Sequence, residues 1–494
     1  MILKMAEYPI QFIRGLQEDN PWWQSGKTKP DIPIFKRSDY FHLVEELATP
    51  SVHVLIGSRR VGKTTVIDQI IQYLIEEKKV DPKRIFFASL ERPYFELVNG
   101  KLPTAIEFFE QNVYGKSLSQ ASEMVYLFID EAQYDNVWAR LLKQYRDQKR
   151  KIFAIVSGSS STAVYKDTTE SGAGRFDTHH MMTMKFRDVV RLKVKDKDKE
   201  LFAISRELRE AFVLACKRKN PSTYAELAGK LVPKLSILPV SVEKLFEEYL
   251  LKGGYPEFYI NSDWKKISTY YQANVFDAII QKDVVNVFNI KFPQRIRKLL
   301  VQVLEMSGSI LSRQKLAESL QMAGRLKTLD QYIEALSDAF LIRTALKYKS
   351  SRGRPSTKEK KFFAADTGLR NAILGTEQTA FTGHERGEII ETVVFNHSLR
   401  LGFYIDKQIR TYGYYWLAED GSGERDIVLD IRRTHETGIP IEVKSGQCGP
   451  HDIKKMKITI AELKAPFGII TCKDTLGIQD NVLIIPTWLF LLTC

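Results

Sequence analysis

Eight consecutive residues, Gly57-Ser58-Arg59-Arg60-Val61-Gly62-Lys63-Thr64, carry the spacing G-x-x-x-x-G-K-[ST]. Glycines at both ends let successive backbone N–H groups turn toward one anion, and the following helix adds its N-terminal amides. Lys63 is the point charge for β- and γ-phosphates, and the Thr64 hydroxyl is a hard oxygen donor for Mg²⁺. An apolar run, HVLIG (53–57), precedes the loop, and the amphipathic VIDQIIQYLIEE follows it. Downstream, the apolar run VYLFID ends in Asp130, with Glu131 next. At a strand end, Asp130 suits the Mg²⁺ shell, and Glu131 suits a base that polarises an attacking water. A nucleotide would therefore lie between the loop from Gly57 through Thr65 and the Asp130-Glu131 pair. A further apolar run ends in Ser157-Gly158-Ser159-Ser160, where Ser157 either senses the γ-phosphate or belongs to a simple turn.

A second set of acidic residues stands near the C-terminus. Glu391 lies in the helical stretch GEIIETVVFNHSL. Glu424, Asp426 and Asp430 lie in ERDIVLD, and Glu442 and Lys444 in IPIEVKSG. Residues two apart on a strand share a face, so Glu442 and Lys444 point together, and a neighbouring strand could set Asp426 beside Glu442. His384 and His397 flank this region and read as surface or packing residues, because Mg²⁺ prefers oxygen.

A third set is basic. Residues 347–361 hold seven Lys or Arg and one Glu. Three helical segments precede them, the second opening at Ser312 and the third, KTLDQYIEALSDAFLI, placing Leu329, Ile333, Leu336 and Phe340 on one face. This pattern predicts a winged helix-turn-helix. Lys327, Thr328 and Gln331 lie on the exposed side of its third helix. Lys349, Arg352, Arg354 and Lys358 would reach DNA phosphates from the wing. A protein-binding module with a basic loop is the alternative.

The elements that must position these groups follow from the chain's patterning. It has 494 residues, 44% hydrophobic and 27% charged, which excludes whole-chain disorder and leaves ample core. Its 73 Lys and Arg against 60 Asp and Glu give a formal charge of +13, which favours a polyanionic partner. Cys216, Cys448, Cys472 and Cys494 form no CxxC or Cys/His cluster, so zinc ribbons and disulfide frameworks are not expected and a reducing cytoplasm fits. The apolar stretch 482–492 contains Pro486 and is too short for a bilayer, so a terminal strand and short helix are expected and no membrane association.

Between residues 37 and 190, the runs HVLIG, RIFFASL (84–90), MVYLFID (124–130) and KIFAIVSG (151–158) alternate with helical patterns. Val, Ile and Phe without polar alternation predict strands buried on both faces, hence a parallel α/β sheet. Residues 1–36 read as irregular. Trp22-Trp23 would either pack on the following domain or cover a base. RLKVKDKDKE (191–200) reads as a solvated linker.

The fragments GSRRVGKTT, IDEAQYDNVWARLL, VSGSSS, GRF (174–176), LKGGYPE, FFAADTGL and IEVKSG together resemble the AAA-type P-loop ATPases. More narrowly, they resemble a large prokaryotic family that joins such an ATPase to a C-terminal nuclease-like domain. The resemblance covers most of residues 37–494. It implies an α/β fold: an N-terminal extension (1–36), an AAA-type core (37–200), a helical lid (201–290), a winged helix (291–360) and a PD-(D/E)XK nuclease-like domain (361–494). It also implies ATP with Mg²⁺ and sites completed across a homo-oligomer interface. Arg175 becomes a finger-like or phosphate-contacting arginine, with a surface salt bridge as the alternative. MKFRDVV (184–190) keeps the family's Phe but lacks its Pro-Leu. By the same resemblance Glu391, Asp426 and Glu442 become metal ligands, and Lys444 orients a water or stabilises developing charge. Three functions stay open: an ATPase acting on DNA, a nucleotide-controlled switch with protein partners, and an ATP-regulated metal-dependent nuclease.

Overall fold

All four buried runs are strands in the computed structural model, which describes residues 8–159, 176–194, 197–260, 263–285, 288, 290–349, 356–376, 383–406, 412–418, 423–431 and 437–494. They are β1 (Ser51–Ile56), β2 (Ile85–Ser89), β3 (Val125–Asp130) and β4 (Ile152–Gly158). With β5 (Asp177–His180) they form a parallel sheet in the order β2-β3-β4-β1-β5. Every residue of β1, β3 and β4 is buried, which is why none of them alternates. Because β4 lies between β1 and β3, its C-terminal end separates the phosphate-loop strand from the acidic strand. β5 reads DTHH, has no apolar pattern, and was not foreseen.

The stretch read as irregular contains helix α1 (Ile10–Asp19), with Phe12 and Leu16 wholly buried. Its end covers the sheet edge at β2. Asn20 donates to Phe87 O at 2.8 Å and accepts from Phe87 N at 2.7 Å, as a neighbouring strand would. Trp22 and Trp23 both donate through Nε1 to Ile85 O, at 3.0 and 2.7 Å. Packing is therefore the role of both tryptophans.

The chain divides into two compact units, Met1–Met182 and Thr183–Cys494. Where a linker over 191–200 was expected, the described residues on either side of 195–196 are helical. A helix over Phe186–Val194 is followed by another over Asp198–Arg218, and buried Arg191 joins them by donating to Asp198 at 2.5 Å.

The second unit is built on a mixed nine-stranded sheet. Its members are β6 (Ile310–Ser312), β7 (Ile342–Lys347), β8 (Ser356–Ala364), β9 (Tyr412–Leu417), β10 (Glu424–Leu429), β11 (Ile439–Val443), β12 (Gly468–Cys472), β13 (Gly477–Gln479) and β14 (Val482–Pro486). Their order is β13-β14-β12-β11-β10-β9-β7-β8-β6. β8 runs across position 360/361, where the sequence suggested a domain limit. The terminal apolar stretch is β14 followed by a helix over Thr487–Thr493. Among the described residues no helix is long and apolar enough to cross a membrane.

Two fragments quoted for the resemblance pack on each other. Gly254 N donates to Asp366 Oδ2 at 2.8 Å, and Asn371 donates to Leu250 O and Leu251 O at 3.0 and 2.9 Å. A Cβ at Gly368 would stand 1.9 Å from Lys252 O, so only glycine fits that approach.

Candidate functional sites

The phosphate loop leaves β1 at Gly57 and enters helix α2 (Lys63–Gln72) through Gly62. Gly62 has φ 98°, which glycine adopts without strain. A Cβ at Gly57 would stand 2.1 Å from Met181 O. Lys63 is buried and donates through Nζ to Gly57 O at 2.8 Å and Ser58 O at 3.1 Å, spanning the loop from within. Arg59 pairs with Glu91 at 3.1 Å. Arg60 has φ 66°, a strained backbone for a residue with a side chain.

Thr64 Oγ1 donates to Asp130 Oδ2 at 2.9 Å, so the two proposed Mg²⁺-side groups meet. A hydroxyl and a carboxylate are hard oxygen donors, which is the set Mg²⁺ takes. Ser157 Oγ donates to the other oxygen of Asp130. Glu131, at φ 52°, turns sharply out of β3. Gln133 Nε2 donates to Glu131 Oε2, and also to Ser159 Oγ at 3.1 Å. Ser160 and Arg175 lie outside the described residues.

Sequence reasoning missed three residues here. Arg37 is buried and donates to Val61 O at 2.7 Å and Met182 O at 2.6 Å, holding the loop from beneath. It stands 20 residues before the loop with no motif around it. Gln133 and Ser159 sit inside fragments already singled out, yet only their side-chain geometry gives them a role.

In the second unit, β10 and β11 run antiparallel with Ile427 opposite Ile441, which sets Asp426 against Glu442 as the strand argument expected. Asp426 Oδ2 accepts from Val443 N at 2.8 Å. Lys444 lies just past β11, 2.9 Å from Glu442 and 3.1 Å from Asp452. Glu391 comes from the long helix Gly383–Asp406, as expected. A lysine not foreseen stands among these acids. Lys361, from β8, is 3.3 Å from Glu391 and 2.6 Å from Glu424 and is 2% exposed.

Burial, and then Glu442, push the Asp426 carboxyl up to about 6. Burial, and then Asp426, push Glu391 well above the usual carboxylate range. Burial opposes the Lys361 charge, but Glu391, Asp426 and Glu424 outweigh it and hold the ammonium firmly protonated. Among the described residues, no group of three or more His, Cys, Asp or Glu is arranged to hold a metal ion. Of the three acids that the resemblance assigned to metal, Glu391 pairs with Lys361 and Glu442 with Lys444, while Asp426 accepts from the Val443 amide. His397 is a buried packing residue whose Nε2 accepts from Phe186 N at 3.2 Å, and His384 is exposed beside Glu388.

Of the basic set, Lys327, Gln331 and Lys349 are exposed and Thr328 half-buried. Lys327, Thr328 and Gln331 lie on the helix Leu326–Asp338, beside a 610 Å³ cleft that includes Arg325, Lys327 and Thr328, and Lys349 follows β7. Arg352 and Arg354 lie outside the described residues. Lys358 is placed on β8, but its side chain is not described.

The parallel sheet, the glycine loop and the paired acids define an α/β P-loop nucleotide-binding unit of the AAA type. Residues 49–190 match the family described as AAA domain. Residues 243–380 and 386–490 match two families described as domains of unknown function, DUF8612 and DUF4143. An uncharacterized protein of Methanocaldococcus jannaschii is 26% identical over 471 residues, covering 92% of this chain and 89% of that protein. An uncharacterized protein of Haemophilus influenzae is 20% identical over 378 residues, covering 76% and 80%. Among solved structures, a Walker-type ATPase of Pyrococcus abyssi matches with a TM-score of 0.40 and 15% identity, covering 71% of this chain and 99% of that one.

Proposed function

We propose that this protein is an ATP-hydrolysing AAA-type enzyme that acts on DNA. The observation that carries the first half is the Thr64–Asp130 contact beside Glu131: metal-side and base-side groups converge at one strand end. The backbone amides of the loop and of the first turn of α2 would hold the β- and γ-phosphates. Lys63 would exchange its carbonyl partners for phosphate oxygens, while Glu131 takes the proton of the attacking water. Bound Mg²⁺, on the Thr64 hydroxyl and the Asp130 side, supplies charge neutralisation between β- and γ-phosphates.

DNA contact is supported by the charge of +13 and by the element order. A helix (Pro293–Glu305), β6, two helices (Arg313–Ser319 and Leu326–Asp338), β7 and β8 follow each other as a winged helix requires. Exposed Lys327, Gln331 and Lys349 would meet the duplex there. We also read the protein as cytoplasmic and homo-oligomeric, with Arg175 completing a neighbour's site and residues 201–290 serving as a lid.

One observation favours a second reading. The opposition of Asp426 and Glu442, with Lys444 on the same strand end, is the arrangement a PD-(D/E)XK nuclease needs. Lys361 argues against metal loading, so we place cleavage second.

The deciding experiment is steady-state ATP hydrolysis by wild type and Lys63→Ala, with and without duplex, branched and single-stranded DNA, over a salt series. Turnover that needs Lys63, rises with one DNA form and fades with salt supports the reading. Turnover indifferent to every nucleic acid would replace the DNA half with a partner-controlled switch.

A further inference from the structure

The side chain that ties Glu131 to β4 has one arm unused. Gln133 Nε2 donates twice, to the Glu131 carboxylate and to the Ser159 hydroxyl. Its Oε1 is buried and has no hydrogen-bond partner among the described residues. The amide cannot be flipped to mend this. An ionised carboxylate only accepts, so the nitrogen must face Glu131 and the oxygen must face away. A buried acceptor left unpaired is destabilising, and such groups persist in native sites where a ligand or reacting water pairs with them.

The two acids of the site are thus tethered in parallel. Asp130 is held to Ser157 directly, and Glu131 is held to Ser159 through Gln133. Both anchors lie at the end of β4, the strand inserted between β1 and β3.

We propose that Gln133 is a positioning residue for hydrolysis: it fixes the Glu131 carboxylate and accepts one O–H of the attacking water on its amide oxygen. The role rests on the ATPase reading. With one O–H held by Gln133 Oε1, the other points at Glu131, which takes that proton. The water oxygen then bonds to the γ-phosphorus, and the bond from that phosphorus to the β–γ bridging oxygen breaks. ADP leaves with the bridging oxygen, and the proton on Glu131 passes to the released phosphate or to solvent. Gln133 neither gains nor loses a proton and acts only through orientation.

The test compares wild type with Gln133→Ala, Ser159→Ala and the double variant. It reads kcat, affinity for a non-hydrolysable fluorescent ATP analogue, and thermal midpoint. Gln133→Ala is expected to lower kcat by about a hundredfold, the scale of a lost orientation, with analogue affinity within about twofold. Ser159→Ala is expected to cost a few-fold, and the double variant no more than Gln133→Ala alone, because Ser159 acts through Gln133. A fully active Gln133→Ala, or losses that multiply in the double variant, would overturn the proposal while leaving the ATPase reading intact. A wild type that hydrolyses no nucleotide overturns both. Should Gln133→Ala fail to fold, Gln133→Glu keeps the size but sets a carboxylate against Glu131, and unchanged turnover in it is equally fatal.

Discussion

Thr64 Oγ1, in the first turn of α2, and Asp130 Oδ2, at the end of β3, stand 2.9 Å apart although β1, which leads into the loop before α2, is not a neighbour of β3 in the sheet. The contact reaches past the end of β4, and the two oxygens of Asp130 join Thr64 on one side to Ser157 on the other. Binding and hydrolysis should therefore separate by residue. Lys63→Ala is expected to abolish nucleotide binding. Glu131→Gln is expected to keep binding and lower kcat by about a hundredfold or more, since it removes the base alone. Analogue titration beside a phosphate-release assay checks both.

Arg37 is a structural clamp on the loop, so its loss should show in binding and in stability together. Arg37→Ala removes two charge-assisted bonds to backbone carbonyls and is expected to cost about 3 kcal/mol, measured by denaturant unfolding, with weaker nucleotide affinity. Arg37→Lys should rescue little, because an ammonium cannot span the carbonyls of Val61 and Met182 as the planar fork does.

The first unit should lose stability in mild acid. His53 Nδ1 lies 3.0 Å from His179 Nε2, and Ser51 Oγ lies 2.9 Å from His53 Nε2. Burial, and then the charge of His179, push the His53 imidazole down to about 4 from 6.5; Asp177 opposes, while His42 and Arg146 add to the depression. Burial, and then His42, lower His179 as well, against Asp177 and Asp39. Between pH 6.5 and about 4 the unfolded chain thus binds more protons than the folded one, and stability falls as pH falls through that window. Thermal midpoints across it should drop in wild type and flatten in His53→Gln.

Lys361 should have the opposite pH signature. Lys361→Met leaves Glu391 and Glu424 without their shared cation and is expected to cost about 3–5 kcal/mol at neutral pH. Protonating the carboxyls relieves the repulsion. Lys361 holds both Asp426 and Glu391 down, so without it they take up protons at higher pH than in wild type, and the defect should shrink as pH falls toward 6. An unchanged defect across the range would show that Lys361 acts by packing.

If Lys327 and Lys349 contact DNA phosphates, Lys327→Ala and Lys349→Ala should each weaken binding for all sequences alike. Each should also reduce the slope of log affinity against log salt by about one. Fluorescence anisotropy over a salt series reads both quantities. Glu442→Ala and Lys444→Ala serve the cleavage reading: nicking lost in them with ATP turnover retained would establish it. A wild type that cuts no DNA or RNA with Mg²⁺ or Mn²⁺ ends it.

The sheet of the first unit was legible because β1, β3 and β4 are buried on both faces and must be apolar throughout. The phosphate loop was legible because only glycine fits at Gly57 and Gly62. The opposition of Asp426 and Glu442 followed from strand pleat. Other features had no such signal. β5 is a four-residue edge strand of polar residues. Arg37 acts through backbone carbonyls, which leave no pattern in the residues they belong to. Lys361 sits in a basic run whose other members gave it the look of a solvated charge, and only the fold turns it inward against Glu391.

β8 pairs with β6 on one side and β7 on the other, and β7 continues through β9 and β10 to β11. The helices ahead of β7 and the acids on β10 and β11 therefore rest on one continuous hydrogen-bonded sheet. A single residue inserted in β8 before Lys361 would turn its ammonium to the opposite face and strand the carboxylates it serves. A change of length inside a strand of this sheet should therefore be tolerated less well than one in the connections between strands.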